Sequence, residues 1–165
     1  MADLGVIMAK LDFDDFDRYQ KKMEEMADPD TIRAEAKMAV YAGAGTAADA
    51  IVTAIKNHPT HKNPVSGMAA FEQKALLNGF GISPMEEKNG EINVKLGFDG
   101  YSSRKTKRWP NGVPVSVIAR SLRRGTSWRA KDDFIGPAIS KARKEVNAAM
   151  EKKLDEAIEK HFNKK

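Results

Sequence analysis

The sequence predicts an α+β fold, in which a small antiparallel sheet packs against a long N-terminal helix and a long C-terminal helix, with a long basic loop. Apolar residues recur at helical spacing over residues 29–57 and again over residues 135–162. Between them, residues 92–98 alternate apolar and polar side chains, and the preceding Asn89 and Gly90 are typical of a two-residue hairpin turn. A chain of 165 residues fits a single domain, residues 1–165.

The first predicted helix covers residues 12–27 and is short, amphipathic and highly charged. Its inner positions recur at spacings of three and four: Phe13, Phe16, Tyr19 (or Gln20), Met23 and Met26. Asp28 and Pro29 separate this helix from the next, because Asp is a favoured N-cap and Pro fits the first position of a helix. We therefore expect a new helix to begin at Pro29.

The second predicted helix, residues 29–57, has an inner face rich in small side chains. That face is Ile32, Ala36, Ala39, Val40, Gly43, Ala47, Ala50, Ile51, Ala54 and Ile55. Gly43 and Gly45 each cost about 1 kcal/mol relative to alanine in a helix, which indicates that another part of the backbone comes close. That neighbour is either a second subunit or the sheet of the same chain, and we favour the sheet.

A sheet region is predicted over residues 80–122. Two prolines make residues 58–64 a loop, and residues 68–78 form a short helix that Gly79 ends. Residues 82–88 then pair with the strand at 92–98 across the hairpin turn. Residues 99–114, rich in Ser, Lys, Arg, Gly and Pro, read as a flexible loop, and residues 115–122 are either a strand or a short helix.

The last predicted helix begins near Ile135, after a capping region at Asp132 and Asp133. Its apolar stripe is Ile139, Ala142, Val146, Ala149, Met150, Leu154, Ala157, Ile158 and Phe162. The order of elements is therefore helix, helix, hairpin, basic loop, short strand and long helix. This order is typical of helices packed on a small antiparallel sheet.

The charge of the chain is concentrated in one segment. Residues 100–131 contain nine Lys or Arg and no acid, whereas the whole chain has a net charge of +5, so the remainder sums to −4. The same segment contains both tryptophans, and such a positive field attracts acidic proteins or polyanions. We predict that the interface with a partner or with other copies is Arg104, Lys105, Lys107, Arg108, Trp109, Arg120, Arg123, Arg124, Trp128 and Arg129.

Motifs for catalysis are weak. His58 and His61 are too few for a zinc site, which needs three or four ligands. The glycine-rich residues 43–46 follow no strand and precede no Lys-Ser or Lys-Thr pair, so they do not form a phosphate loop. The paired carboxylates at 24–25 and 86–87 lie in charged, solvated sequence that would not raise their pKa for acid–base work. We therefore expect no enzymatic activity, no cofactor and no metal.

The N-terminus and the hydropathy pattern argue against export and membrane insertion. An acid at Asp3 and the lack of an apolar segment there predict no secretory signal. We find no run of about 18 apolar residues, so we expect no membrane span. The absence of cysteine excludes disulfides and suits a reducing cytoplasm.

A family resemblance rests on three short motifs in the second half of the chain. They are Ile118-Ala119, the turn Gly125-Thr126-Ser127, and the segment Phe134-Ile135-Gly136-Pro137-Ala138. In this order the motifs resemble the tail-completion or minor tail proteins of long-tailed bacteriophages, the gene-product-ten-like family of lambdoid phages. Gly125 and Thr126 would form the turn, while Phe134 and Pro137 would begin the last helix. The likeness covers about residues 30–160.

The resemblance implies a non-catalytic virion protein that assembles in the bacterial cytoplasm. It implies a homo-oligomeric ring of six copies around the DNA channel, which contacts neighbouring tail or connector proteins and touches DNA in passing. The chain departs from the family pattern at Arg123 and Arg124, where family members carry a Glu before the Gly-Thr turn. A small basic nucleic-acid-binding module is the alternative hypothesis, because Lys and Arg attract phosphate and Trp stacks on bases.

Overall fold

The computed structural model describes residues 28–63, 65 and 67–162, so the predicted helix at 12–27 lies outside the described residues. This part of the chain contains four helices: α1 (Pro29–Asn57), α2 (Ala70–Gly79), α3 (Val115–Arg124) and α4 (Ile135–Phe162). Its strands are β1 (Thr60–His61), β2 (Met68–Ala69), β3 (Phe80–Ile82), β4 (Glu86–Lys88), β5 (Glu91–Asn93) and β6 (Leu96–Phe98). The predicted α+β class is confirmed.

Helix α1 begins and ends where the sequence predicts. The Asp28 carboxylate accepts hydrogen bonds from the Thr31 amide at 3.2 Å and from the Thr31 hydroxyl at 3.1 Å. Pro29 follows as the first helical residue, where its missing N–H costs nothing. At the other end the His58 amide donates to the Ile55 carbonyl, and the backbone of His58 is extended. Local capping chemistry therefore determines both ends of this helix.

Helices α1 and α4 pack antiparallel and form most of the hydrophobic core. The middle of α1 meets the middle of α4 at Gly43 and Met150, while the end of α1 at Asn57 lies beside the start of α4 at Phe134. Other buried side chains of the core include Ile51, Ile55, Met68, Leu76, Leu96, Val115, Ile118, Leu122, Val146 and Leu154. The predicted apolar stripes of both helices therefore face each other.

The small residue Gly43 contacts α4, which corrects the prediction that it packs against the sheet. A Cβ atom at this position would lie 2.6 Å from Cγ of Met150 and 3.4 Å from a methyl carbon of Val146. The same addition at Gly45 meets nothing within 4 Å. Only the first glycine is therefore required by the packing of the two helices.

Substituting these two glycines by alanine should change stability in opposite directions. Gly45→Ala should stabilise the protein by up to about 1 kcal/mol, because alanine favours the helix and the site is open. Gly43→Ala should destabilise it, because overpacking of about 1–3 kcal/mol outweighs that gain. Chemical unfolding of both variants measures the difference. A Gly43→Ala protein as stable as Gly45→Ala would contradict the close helix contact.

Residues 80–98 form one hairpin that is interrupted near its middle. Strands β3 and β6 pair antiparallel at its base, β4 and β5 pair near its tip, and Asn89 and Gly90 both have positive φ in the turn. Between these pairs residues 83–85 face residues 94–95, so the first strand has one residue more than the second, and Pro84 has no N–H to donate to the ladder. The predicted hairpin is present, but its first strand begins at Phe80 and not at Ile82, and each of its two strands is divided into two short segments.

A charged contact joins the tip of the hairpin to the start of α1. The Glu87 carboxylate accepts from Lys37 Nζ at 3.1 Å and lies 3.2 Å from Nε of Arg33. The hydrogen bond from Lys37 holds the pKa of the Glu87 carboxyl below its usual range, partly opposed by desolvation and assisted by the charge of Arg33. Because these groups are exposed, the contact orients the hairpin more than it stabilises the protein.

The contribution of Glu87 to stability should disappear in acid. Its lowered pKa in the folded state means that the contribution is present above the pKa of the unfolded chain and is lost as pH falls through the folded value. Glu87→Gln should therefore shift the unfolding midpoint slightly at pH 7 and low salt, and not at pH 3 or in 1 M salt. Glu91→Gln on the paired strand β5 is the control. Equal shifts at both pH values would contradict the contact.

Residues 115–124 form helix α3, so the short strand in the predicted order of elements is wrong. Val115, Ile118, Ala119 and Leu122 are buried on one side of this helix, at spacings of three and four. A strand would have divided these side chains between its two faces. The β structure of the described residues is thus three two-stranded sheets, two antiparallel and one parallel between β1 and β2.

Helix α1 is long and apolar enough to cross a membrane by length and composition alone. The core helix of a soluble protein passes the same test, so this is weak evidence. Nine of its residues are buried in the fold. The predicted absence of a membrane span stays a prediction.

Candidate partner-binding surface

Helix α3 places apolar side chains in the core and cations outside. Its buried residues face α2, whereas Arg120 and Arg124 are exposed and lie one turn apart. Val117 precedes them on the same side and is 38% exposed. The face of α3 that points away from the core therefore carries two guanidinium groups and one apolar side chain.

The loop at residues 99–114 has a defined hydrogen-bonded conformation. At its base the Ser102 amide donates to the Val113 carbonyl and the Val113 amide donates to the Arg104 carbonyl, both at 2.9 Å. At its tip the amide of Trp109 donates to the carbonyl of Thr106. The amide of Thr106 donates in turn to the carbonyl of Trp109. The loop thus forms an irregular hairpin that leads directly into α3.

The cations of this loop are exposed. The Arg104 guanidinium lies 5.5 Å from the ring centre of Phe71 on α2, and that of Arg108 lies 5.6 Å from the ring centre of Trp109. Lys105 and Lys107 are exposed between them, while Trp109 is half-buried. Cation–π contacts hold the two arginines near aromatic rings and leave their charge accessible to solvent.

After α3 the chain makes the sharp turn that the sequence predicts at Gly125. This residue has φ of 73°, and a Cβ there would lie 2.9 Å from the amide nitrogen of Lys131. The hydroxyl of Thr126 accepts from the Arg129 amide at 3.1 Å, and the amide of Thr126 donates to the Arg129 carbonyl at 2.8 Å. The assignment of Gly125 and Thr126 to a structural turn agrees with this geometry.

Arg129 is buried, which corrects its assignment to the interface. Its guanidinium donates to both carboxylate oxygens of Glu72 on α2, at 2.7 and 2.8 Å, and to the hydroxyl of Ser121 on α3 at 3.1 Å. The second oxygen of Glu72 also accepts from the Ala69 amide at 2.9 Å. This ion pair therefore fastens the turn to two helices and offers no charge to a partner.

Trp128 is presented outward by the same ion pair. Its ring lies 4.9 Å from the guanidinium carbon of Arg129, and the side chain remains 52% exposed. Trp side chains on a rigid support are favoured contact residues at interfaces. The buried arginine thus holds an exposed aromatic residue in the turn that directly follows α3.

Arg123 differs from its neighbours because it lies near an acid. Its Nε is 3.8 Å from a carboxylate oxygen of Asp133, a half-exposed pair that is too long for a hydrogen bond. The other oxygen of Asp133 accepts from the Gly136 amide at 3.0 Å, as expected of a residue that caps α4. Arg123 is therefore partly neutralised.

The start of α4 is fixed by an aromatic contact. The ring of Phe134 lies 4.3 Å from the ring of His58, and Phe134 packs against the core. Nε2 of the same histidine lies 2.9 Å from a carboxylate oxygen of Asp132. Pro137 is exposed in the first turn of α4. Phe134 and Pro137 thus occupy the positions that the sequence predicts for them at the beginning of the last helix.

The candidate metal ligands do not form a site in the described ranges. His58 bonds Asp132, whereas the ring of His61 lies against Gly67. In residues 28–63, 65 and 67–162 there is no group of three or more His, Cys, Asp or Glu side chains able to hold a metal ion.

Six of the ten predicted interface residues remain as exposed cations. We call these cations, together with the exposed side chains of Tyr101, Val117 and Trp128, the basic surface; the cations are Arg104, Lys105, Lys107, Arg108, Arg120 and Arg124. The charge pattern of the sequence does not point to Tyr101, which is 66% exposed, or to Val117. The helical spacing of Val117 from Arg120 would have identified it, once residues 115–122 were taken as a helix.

Comparison with protein-family models, with curated proteins and with solved structures returns no match for this chain.

Proposed function

We propose that this protein is a virion structural protein of a long-tailed bacteriophage, which completes the tail or joins it to the head by forming a ring. The observation that carries the proposal is the basic surface, which is supported by α3 and by the turn that the Arg129–Glu72 ion pair holds in place. Six cations and three apolar or aromatic side chains are exposed on α3 and on the loop and turn that flank it in the chain, while Arg129 and Glu72 lock the turn. Such a mixture of rigid aromatic groups and arginines is typical of protein interfaces.

The motifs of the family resemblance support the same proposal. Gly125 and Thr126 form a tight turn, and Phe134 and Pro137 lie at the start of α4. These residues have structural roles that leave the basic surface free for neighbouring subunits. The protein would act by assembly and not by catalysis.

A nonsense mutation early in the gene tests the proposal. We expect a phage with this mutation to produce filled heads and separate or aberrant tails in a non-suppressing host, as seen by electron microscopy. Growth in a suppressor host is the matched control, because it restores the full chain in the same genome. Infectious virions of normal appearance from the non-suppressing host would refute the proposal.

Nucleic-acid binding is the second candidate, and Trp128 favours it. One side of its ring lies against Arg129, while the exposed remainder of the side chain is available to stack on a base. If about five phosphates are contacted, log K for duplex DNA should fall against log salt with a slope of about −4 to −5. Failure to bind free duplex at physiological salt would rule this function out.

A further inference from the structure

We infer that the acidic residues 12–17 of one copy bind the basic surface of a second copy. This inference rests on the proposed function, in which copies of the chain assemble into a ring. It names the partner of the basic surface as a segment of the same protein. The observations that carry it are charge complementarity, the arrangement of aromatic residues and the place where the described chain begins.

The charges of the two segments are opposite and concentrated. Residues 12–17 contain four aspartates and no base, and residues 1–27 contain seven acids against four bases. The basic surface presents six exposed cations, and residues 100–131 contain no acid that could neutralise them. Such complementary charges steer two surfaces together and fix their register.

Aromatic residues match as well as the charges. Phe13 and Phe16 lie between the aspartates of the acidic segment. On the basic surface the side chains of Tyr101 and Trp128 are 66% and 52% exposed. Burial of such rings contributes about 25 cal/mol for each Å² removed from water, and charged contacts at the rim add specificity.

The position of the acidic segment favours a second copy over the same copy. The chain enters the described structure at Asp28, the first end of α1, and 29 helical residues extend for about 43 Å. The basic surface is fastened to the opposite end of α1. There the side-chain Nε2 of Gln73 on α2 donates to the Ile55 carbonyl at 2.8 Å, and Nε2 of His58 lies 2.9 Å from a carboxylate oxygen of Asp132.

Asp17, the end of the acidic segment nearest to α1, lies 11 residues before Asp28, and a fully extended chain of that length spans at most about 36–40 Å. This is less than the length of α1, so the acidic segment as a whole is better placed to meet the basic surface of a neighbouring copy. The contact joins different surfaces on the two copies, so it is heterologous, and repetition of it generates a ring when the rotation closes.

Charge-reversal variants of the full chain test the inference. The acidic-segment variant is Asp14→Lys with Asp15→Lys, and the basic-surface variant is Lys105→Glu with Lys107→Glu. Lys141→Glu with Lys144→Glu is the matched control, since both lysines are exposed on α4. Sedimentation velocity and native mass spectrometry of each purified protein, at 50 mM and 500 mM salt, measure self-association. Circular dichroism checks that all variants are folded.

We expect the wild-type chain and the control to form oligomers at 50 mM salt that weaken at 500 mM salt. Each of the other two variants alone should associate at least tenfold more weakly. An equimolar mixture of those two should recover association, because the intact acidic segment of one variant meets the intact basic surface of the other and the two reversed segments are again opposite in charge.

Three results would overturn the inference. They are a wild-type chain that is monomeric at 50 mM salt, a charge-reversed variant that self-associates as strongly as the wild-type chain, and a mixture of the two variants that forms no mixed oligomers. These measurements use purified protein and are independent of the phage experiment. If the purified protein forms salt-sensitive rings but the phage with the nonsense mutation yields normal virions, only the tail function is refuted. Unjoined tails together with a monomeric purified chain would refute only the self-contact.

Discussion

Replacing Arg129 by methionine should destabilise the protein by about 3–5 kcal/mol, since it leaves the Glu72 carboxylate buried without its charged partner. The side chain of Arg129 is fully buried and that of Glu72 is 6% exposed, so water does not compensate. Glu72→Met should cost a similar amount for the same reason. Equilibrium unfolding by urea measures each free energy.

The double variant Glu72→Met with Arg129→Met should cost much less than the sum of the two single changes. Two charges then leave the core together, while the Ala69 amide loses its acceptor and the Ser121 hydroxyl loses a donor, at about 1–3 kcal/mol. Arg123→Met is the matched control, because this half-exposed pair is worth about 1 kcal/mol or less. If Arg129→Met costs no more than Arg123→Met, the buried pair does not anchor the turn.

The second large effect is expected at Gly112, at the base of the basic loop. Its φ is 114°, and a Cβ added there would be in direct conflict with the backbone carbonyl oxygen of Ser102. Overpacking costs about 1–3 kcal/mol, and a positive φ adds about 1–2 kcal/mol for a residue with a side chain. Gly112→Ala should therefore lower the free energy of unfolding by about 2–5 kcal/mol.

Gly90→Ala separates the clash from the backbone strain. Gly90 also has positive φ, at 81°, but a Cβ there meets nothing within 4 Å. This variant should lose only the strain energy, about 1–2 kcal/mol. Gly112→Ala should also weaken self-association through the basic surface, whereas Gly90→Ala in the distant hairpin turn should not. Equal losses of stability in the two variants would contradict a tightly closed loop base.

Local chemistry made several elements predictable. The Asp28 cap and Pro29 determine the start of α1, and Asn89 with Gly90 determines the hairpin turn, because each acts on backbone groups within a few residues. The apolar stripes of α1 and α4 are predictable in the same way, since helical periodicity indicates which face of a helix is buried. The high concentration of cations in residues 100–131 was visible in the same way.

Other features depended on contacts between distant parts of the chain. Nothing near Arg129 indicates that it is buried, because its partner Glu72 lies 57 residues earlier. The role of Gly43 in packing follows only from the position of Met150 on α4. The choice between strand and helix at 115–124 depends on the packing of its apolar side chains against α2.

The sequence by itself determined the class of fold, the ends of the long helices and the charge asymmetry, through local hydrogen bonding and residue spacing. Only the tertiary structure decided which cations are exposed. Burial and ion pairing depend on what the fold brings next to each side chain.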